Sequence, residues 1–160
     1  GETTEMQTSL IIIKPDGVQR RLVGRILTRF EEKGLQIVGA RFMKIPAATA
    51  RKHYAPHKGK PFYPGLISYM TSSPVLVVAL RGKNAIAVIR KMLGATFGSQ
   101  AEPGTIRGDF AISDGFNLVH ASDSPAAAKT EIGLFFGRGQ VQSYAMADTP
   151  WVYDTSEDLR

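Results

Sequence analysis

The chain has 160 residues, a formal charge of +6 from 20 Lys+Arg against 14 Asp+Glu, 43% hydrophobic residues and no cysteine. That length buries a core as one domain without staples, and the absence of cysteine excludes thiol nucleophiles, thiolate zinc sites and disulfides together. The longest apolar runs, Leu10 to Ile13 and Val75 to Leu80, are far too short to span a bilayer and no basic-then-apolar leader opens the chain, so a cytoplasmic protein with a polyanionic partner, nucleotide or nucleic acid, is expected.

Residues 1–8 are polar and aperiodic and read as a flexible segment, with Met6 a candidate native start. Ser9 to Ile13 is a continuous apolar run, the pattern of a strand buried on both faces. Lys14-Pro15-Asp16-Gly17 ends it with turn chemistry, leaving Lys14 at the strand end, either solvated or reaching into a cleft. Leu22, Ile26 and Phe30, with Val23 and Leu27, recur at helical spacing up to Gly34. Arg21, Arg25 and Arg29 share one flank of that helix and read as a solvated face rather than a nucleic-acid stripe. Leu35 to Ile45 is a second strand, ended by Pro46.

Ala47 to Tyr54 is a short helix closed by Pro56. His53 and His57 have the spacing of a helical metal pair, but Pro56 breaks the helix that would align them and no glutamate follows His53, so both read as surface histidines. Pro61-Phe62-Tyr63-Pro64 frames two aromatics that serve either the core or as a stacking surface for a base. Pro74 to Leu80 is a third strand. Asn84 caps a helix whose buried stripe is Ile86, Ile89 and Leu93, ended at Gly94. Arg90 shares that stripe, where an arginine either snorkels or has an anionic partner.

Thr96 to Phe116 shows no element beyond a strand fragment around Phe110 to Ile112, and so long a connection is more often functional than idle. A short apolar run from Asn117 then delivers His120, and Ser124-Pro125 reads as an N-cap followed by proline in the first helical turn. His120 therefore sits at a strand-to-helix junction, where unpaired N–H groups and the helix dipole favour an anion. Its imidazole is a nucleophile or an acid–base group; the bland alternative is a half-buried strand end. The last helix runs to about Phe136 and buries Ala127, Ala128, Leu134 and Phe135. Glu131 falls among them, and a carboxylate there needs a partner, for which His120 is the candidate. The tail from Gly137 carries Tyr144, Trp151 and Tyr153 and packs on the surface or on a neighbouring subunit.

This alternation predicts one α+β domain, a ferredoxin-like βαββαβ fold with a four-stranded antiparallel sheet, helices packed on it and a long loop before the last strand. No P-loop occurs, and Gly137 to Gln142 lacks the third glycine of a dinucleotide fingerprint. Phosphates, if handled, fall to side chains: Lys14, Arg90, Thr96 and Arg107, around His120.

Four stretches, Lys14-Pro15-Asp16-Gly17-Val18-Gln19-Arg20, Pro61-Phe62-Tyr63-Pro64-Gly65-Leu66, Pro103-Gly104-Thr105-Ile106-Arg107-Gly108-Asp109 and Asn117-Leu118-Val119-His120-Ala121-Ser122-Asp123-Ser124, together resemble the nucleoside diphosphate kinase family in order and spacing, from about Ser9 to Asp154. The resemblance implies a catalytic domain over residues 9–154 with a tail at 155–160. It implies ping-pong transfer of the γ-phosphoryl group of a nucleoside triphosphate to His120 Nδ1, then to a nucleoside diphosphate. Mg2+ would be held by the phosphates and water, with no metal ligand from the chain itself. Arg90, Thr96 and Arg107 would bind phosphates, Lys14 and Asn117 the sugar hydroxyls, and Phe62 and Leu66 the base. Tyr54 would support the phosphate region, and Ser122 and Glu131 would orient His120. Positive charge spread around a loose phosphoryl transition state supplies most of such catalysis.

The sequence departs from the family's pattern at three places. Asp114 stands where an apolar residue commonly covers the other face of the base, Ala121 replaces the more usual glycine, and Phe97-Gly98 follows Thr96 where Asn-Pro is often found. The resemblance also implies a homo-oligomer, with a hexamer favoured over a tetramer by the long loop and by a tail reaching Asp154, which matches an acidic residue near a neighbouring subunit's nucleotide site. Neither a membrane nor a nucleic acid is required. Two rivals remain: a basic RNA-binding ferredoxin-like module, which would need exposed aromatics on the strands, and a catalytically silent family member acting as an oligomeric nucleotide- or nucleic-acid-binding protein, against which the retention of Lys14, Arg90, Arg107, Asn117, His120 and Glu131 argues.

Overall fold

The apolar runs become the strands of one sheet in the computed structural model, which describes residues 5–159. β1 (Met6–Ile13) starts three residues before the apolar run because its ladder to a longer partner continues, Met6 opposite Lys83 and Thr8 opposite Arg81. Residues 6–8 thus belong to the sheet rather than to a flexible segment, and residues 1–4 lie outside the described residues. α1 (Pro15–Gln19) begins on its proline. Arg21, at φ +58°, turns the chain into α2 (Val23–Lys33), which ends on Gly34 in the left-handed conformation.

β2 (Gln36–Met43), α3 (Ala47–His53), a single turn at Ala55–His57, α4 (Tyr63–Met70), β3 (Val75–Lys83) and α5 (Ala85–Leu93) follow. Asn84 occupies the position before α5, but its side chain makes no cap bond; Gln7 Oε1 accepts from Ile86 N at 3.1 Å instead. The connection expected to be nearly featureless holds a turn at Gly98–Gln100 and α6 (Ile106–Phe110), and there is no strand at Phe110 to Ile112. The missed signal is a cap: Thr105 Oγ1 accepts from Gly108 N at 3.0 Å. Gly108 is required there, because a Cβ would lie 1.8 Å from the Glu102 carbonyl oxygen. β4 (Val119–Ala121), α7 (Pro125–Phe135) and α8 (Thr149–Val152) complete the order.

The strands pair antiparallel in the order β2-β3-β1-β4, the ferredoxin-like arrangement that the alternation predicts. Both faces are covered, which is why the strands read as unbroken apolar runs. Ile11, Ile13, Val78 and Leu80 pack with Ile26 and Phe30 of α2 and Ile89 and Leu93 of α5. Leu10, Ile12, Val77 and Ala79 pack on the other side with Ala50 of α3, Met70 of α4 and Phe135 of α7. The tail lies along the chain's own β2: Gln142 N donates to the Val38 carbonyl at 2.8 Å and Gln36 Nε2 to that of Tyr144 at 2.9 Å. Among the described residues no helix is long and apolar enough to cross a membrane.

Candidate active site

β4 alternates across the sheet, so Val119 and Ala121 enter one core while His120, opposite Ile12, faces the side covered by α3 and α7. There a cleft of about 930 Å³ opens between the ends of β1 and β4, α3, α4 and the connection after α5. Ser124 accepts from Ala127 N at 3.0 Å, the cap the sequence predicts, and so fixes where α7 starts. α7 in turn carries Glu131 to His120, whose Nε2 lies 3.1 Å from Glu131 Oε1. Ser122 donates to the same oxygen at 2.6 Å, while its hydroxyl accepts from Leu10 N at 3.1 Å. Burial alone would raise the Glu131 carboxyl; the His120 hydrogen bond and charge, the Ser122 hydroxyl and His53 outweigh it and hold the group below its usual range.

The opposite wall is cationic. Lys14, 8% exposed, donates from Nζ to Asn117 Oδ1 at 2.7 Å, and Asn117 Nδ2 donates to the Thr96 carbonyl at 2.9 Å. Burial, then the neighbouring Arg107, bring the Lys14 ammonium down to about 8, with Asp16 pulling the other way. Arg107, 4% exposed, spends its guanidinium on three carbonyls: Nε on Asn117 at 3.1 Å, Nη1 on Gly94 at 3.2 Å and Nη2 on Val119 at 2.6 Å. Burial and Arg90 lower it to about 10. Arg90 is not buried on its helix stripe: it sits exposed at the stripe's edge, lines the cleft and makes one 3.3 Å bond to the Ala121 carbonyl. Its length lets it leave the core that Ile86 and Ile89 fill.

Phe62, 53% exposed, Leu66 and Tyr69 line the cleft from α4 and the residue before it, with Phe116 facing Tyr69 at 5.2 Å between ring centroids. Tyr54 also lines it, its hydroxyl buried without a hydrogen-bond partner among the described residues and pushed up by burial and Glu131. The structure thus brings Lys14, Tyr54, Phe62, Leu66, Arg90, Thr96, Arg107, Asn117, His120 and Glu131 to one cleft, with Ser122 behind His120. Asp114 stands apart, accepting from Ser99 N at 3.2 Å and from Ser99 Oγ at 2.5 Å, while Phe116 takes a place in the lining. Asp154 caps its own turn, accepting from Ser156 N at 3.1 Å.

Two groups escape the sequence reading. Asp16 accepts from the Tyr69 hydroxyl and from Leu118 N at 3.2 Å, and so holds Leu118 at φ +73° beside His120. The signal for Tyr69 is present, since Phe62, Leu66 and Tyr69 share helical spacing. His53 is the larger correction. Pro56 does end the helix, and His57 is not aligned with His53 as a ligand pair, but His53 is not a surface residue. Its side chain is 2% exposed, turned inward with its ring 4.7 Å from that of His120 at 81°. Burial, then His120, bring its imidazole down to about 3 despite Glu131. The missed signal is its place on the Ala50–Tyr54 face, which α3 buries.

The chain matches the family described as nucleoside diphosphate kinase over residues 7–141. It is 52% identical over 149 residues to a nucleoside diphosphate kinase of Roseiflexus castenholzii, covering 93% of this chain and 100% of that protein. With one of Methanothermobacter thermautotrophicus it shares 48% identity, covering 93% and 99%. Among solved structures, a halophilic nucleoside diphosphate kinase from Halobacterium salinarum in complex with CDP superposes with a TM-score of 0.91 at 43% identity, covering 93% of this chain and 99% of that one.

Proposed function

Because this chain belongs to the nucleoside diphosphate kinase family, we propose that it carries the γ-phosphoryl group of a nucleoside triphosphate to a nucleoside diphosphate through a phosphohistidine at His120. The chain is a phosphotransferase by that membership. The observation that supports the carrier is the 3.1 Å contact of His120 Nε2 with a carboxylate that Ser122 also holds. A proton on Nε2 donates to Glu131, so the free lone pair is on Nδ1. Attack by Nδ1 forms the N–P bond as the γ-phosphorus parts from the β–γ bridging oxygen, and the diphosphate leaves with that electron pair. Glu131 balances the charge that develops on the ring. A diphosphate acceptor then reverses the step.

Lys14, Arg90 and Arg107 surround the transferring group with positive charge, the dominant contribution where the transition state is loose. Lys14 and Asn117 each keep donors beyond their mutual bond for sugar hydroxyls. Phe62 and Leu66 offer an apolar face to any base, which reads area rather than edges. The carboxylates lining the cleft are Asp123 and Glu131, and Glu131 is engaged with His120 and Ser122. That donor set suits Mg2+ arriving on the nucleotide phosphates, whose charge it neutralises, rather than a protein cage. The CDP held by the Halobacterium salinarum relative is a substrate of the same class.

We further assign the chain to the cytoplasm as a homo-oligomer, a hexamer before a tetramer; Trp151, 92% exposed, and Phe42 offer apolar surface for subunit contacts. Light scattering decides the number. The carrier is tested by intact mass after mixing with magnesium-ATP. The wild type is expected to gain one acid-labile phosphoryl group, discharged by any nucleoside diphosphate, and His120→Ala to gain none. A folded wild type that binds nucleotide yet gains no mass would be a silent family member instead.

A further inference from the structure

The transfer chemistry uses His120, Glu131 and Ser122 and leaves His53 without a task. Its ring is buried at the foot of the cleft, and neither ring nitrogen has a hydrogen-bond partner among the described residues. Packing against Tyr54 and Phe135 accounts for an aromatic ring at this position, but not for two unmet polar atoms in it. His53 Nδ1 lies 4.0 Å from Glu131 Oε2, the carboxylate oxygen opposite the one that His120 and Ser122 share. One donor atom from each of His53, His120 and Glu131 falls within 4.8 Å of the others. Ligands on a tetrahedral zinc ion stand about 3.3 Å apart, so small side-chain rotations bring these three onto one ion.

We propose that His53, His120 and Glu131 form a site for a borderline divalent transition-metal cation, of which Zn2+ is the representative, and that its occupation disarms His120. Two imidazoles and one carboxylate are the donors such ions select, and they leave a coordination position open toward the cleft. Mg2+ demands oxygen ligands and does not compete for this set. The three residues come from α3, β4 and α7, elements fixed by the core, so the backbone of the site is in place and only side chains need to turn. The metal site stands independently of the phosphohistidine reading; its effect on transfer rests on that reading.

The effect follows from where the proton goes. On Nε2 the ion replaces the proton that His120 donates to Glu131, and a neutral imidazole bound through Nε2 carries its remaining N–H on Nδ1. That is the atom the phosphoryl group must join, so its lone pair is no longer available. In the phosphohistidine, Nδ1 bears the phosphoryl group and Nε2 the proton that Glu131 accepts; loss of that proton leaves a neutral ring with its lone pair on Nε2, so the ion acts before transfer, on the unphosphorylated ring. The bound ion therefore blocks formation of the phosphohistidine.

The test titrates chelator-treated, desalted protein with Co2+, read by its visible absorption, and with Zn2+, read by calorimetry. Wild type and His53→Phe are compared. One ion per chain is expected on the wild type, bound at least tenfold more weakly by His53→Phe. The phenyl ring keeps the packing; His53→Gln replaces it in the comparison if that variant does not fold by circular dichroism. Unchanged affinity in the His53 variant would overturn the site. In a second arm, wild type pre-equilibrated with Zn2+ is expected to gain no phosphoryl mass from magnesium-ATP until a chelator is added. Phosphorylation at full zinc occupancy would overturn the switch. Failure to phosphorylate without zinc would count against the phosphohistidine alone, because the Co2+ arm still decides the site.

Discussion

On the His120 wall of the cleft a carboxylate is met by hydrogen-bond partners, Glu131 by the His120 ring and the Ser122 hydroxyl, whereas on the Arg107 wall cations are met by neutral oxygens: three carbonyls for Arg107 and an amide for Lys14. The nearest carboxylate on that second wall, Asp16, is taken by Tyr69 and Leu118 N. One wall is thus closed by hydrogen bonds and oriented, and the other holds positive charge with no carboxylate partner among the described residues of the cleft. On the proposed function a polyphosphate would supply the missing anion, the cationic wall would be where it lies and the closed wall where it would react. The contrast also separates two arginines that sequence treats alike.

The largest expected effect comes from breaking the cationic wall. Arg107→Ala leaves the Gly94, Asn117 and Val119 carbonyls without their donor, and denaturant unfolding should show a loss of about 3 kcal/mol, with nucleotide affinity falling as well. Arg90→Ala removes an exposed side chain with one long bond, so stability should stay within about 0.5 kcal/mol while KM rises. Equal stability losses in the two variants would erase the distinction between brace and ligand.

The closed wall is broken next. Glu131→Gln keeps the size of the side chain and removes the charge facing His120, and a fall of about 10–100-fold in kcat is expected, with KM little changed. Ser122→Ala should give the lower end of that range, since one of two donors to the carboxylate is lost. Stopped-flow phosphorylation of the protein checks both without product release. A change confined to KM would move Glu131 from orientation to binding.

The two walls were not equally legible in the sequence. β1, α2, β2, α5 and the β4–α7 junction follow from apolar period, caps and breakers, because those signals are local. Glu131 is also legible, as a charge on a buried stripe, and Ser124 as a cap. Arg107 gives no such hint, since its three acceptors are backbone oxygens brought together only by the closed fold. His53 was misplaced for a related reason: Pro56 correctly ends α3, but the inward turn of the last helical residue is set by α7, far along the chain. α6 was missed because five residues are too few to show a period, leaving only the Thr105 cap as a clue. The motifs carry the identity of the cleft; the balance of charge across it appears only when they meet.

A smaller effect tests the cationic wall by pH. Burial lowers Lys14 in the folded protein from 10.5 to about 8. Below about 8 both folded and unfolded chains hold the proton and the folded state bears the full cost of a buried ammonium. Between about 8 and 10.5 the unfolded chain binds more proton, so this contribution makes stability rise with pH. Nucleotide binding should move the opposite way, with KM increasing above about 8 as the charge is lost. Lys14→Met should flatten both trends, and a variant retaining the wild-type slopes would assign them to another group.

The smallest change asks whether the closed wall is held by its helix or acts through it. Ser124 caps α7 seven positions before Glu131, and Ser124→Ala leaves the Ala127 N–H without its acceptor, at a cost of about 1 kcal/mol in thermal or denaturant unfolding. Leu10 N still meets Ser122, and Phe135 still anchors the far end of the helix in the core. Fraying at the first turn therefore should not reach Glu131, and kcat should stay within about twofold of wild type, an interval of about 0.4 kcal/mol on the transition-state scale. A fall in kcat as large as that of Ser122→Ala, at full folding, would mean that the amides at the start of α7 stabilise the transferring phosphoryl group directly. The two walls would then share the anion, and the division between them would lie within α7 rather than across the cleft.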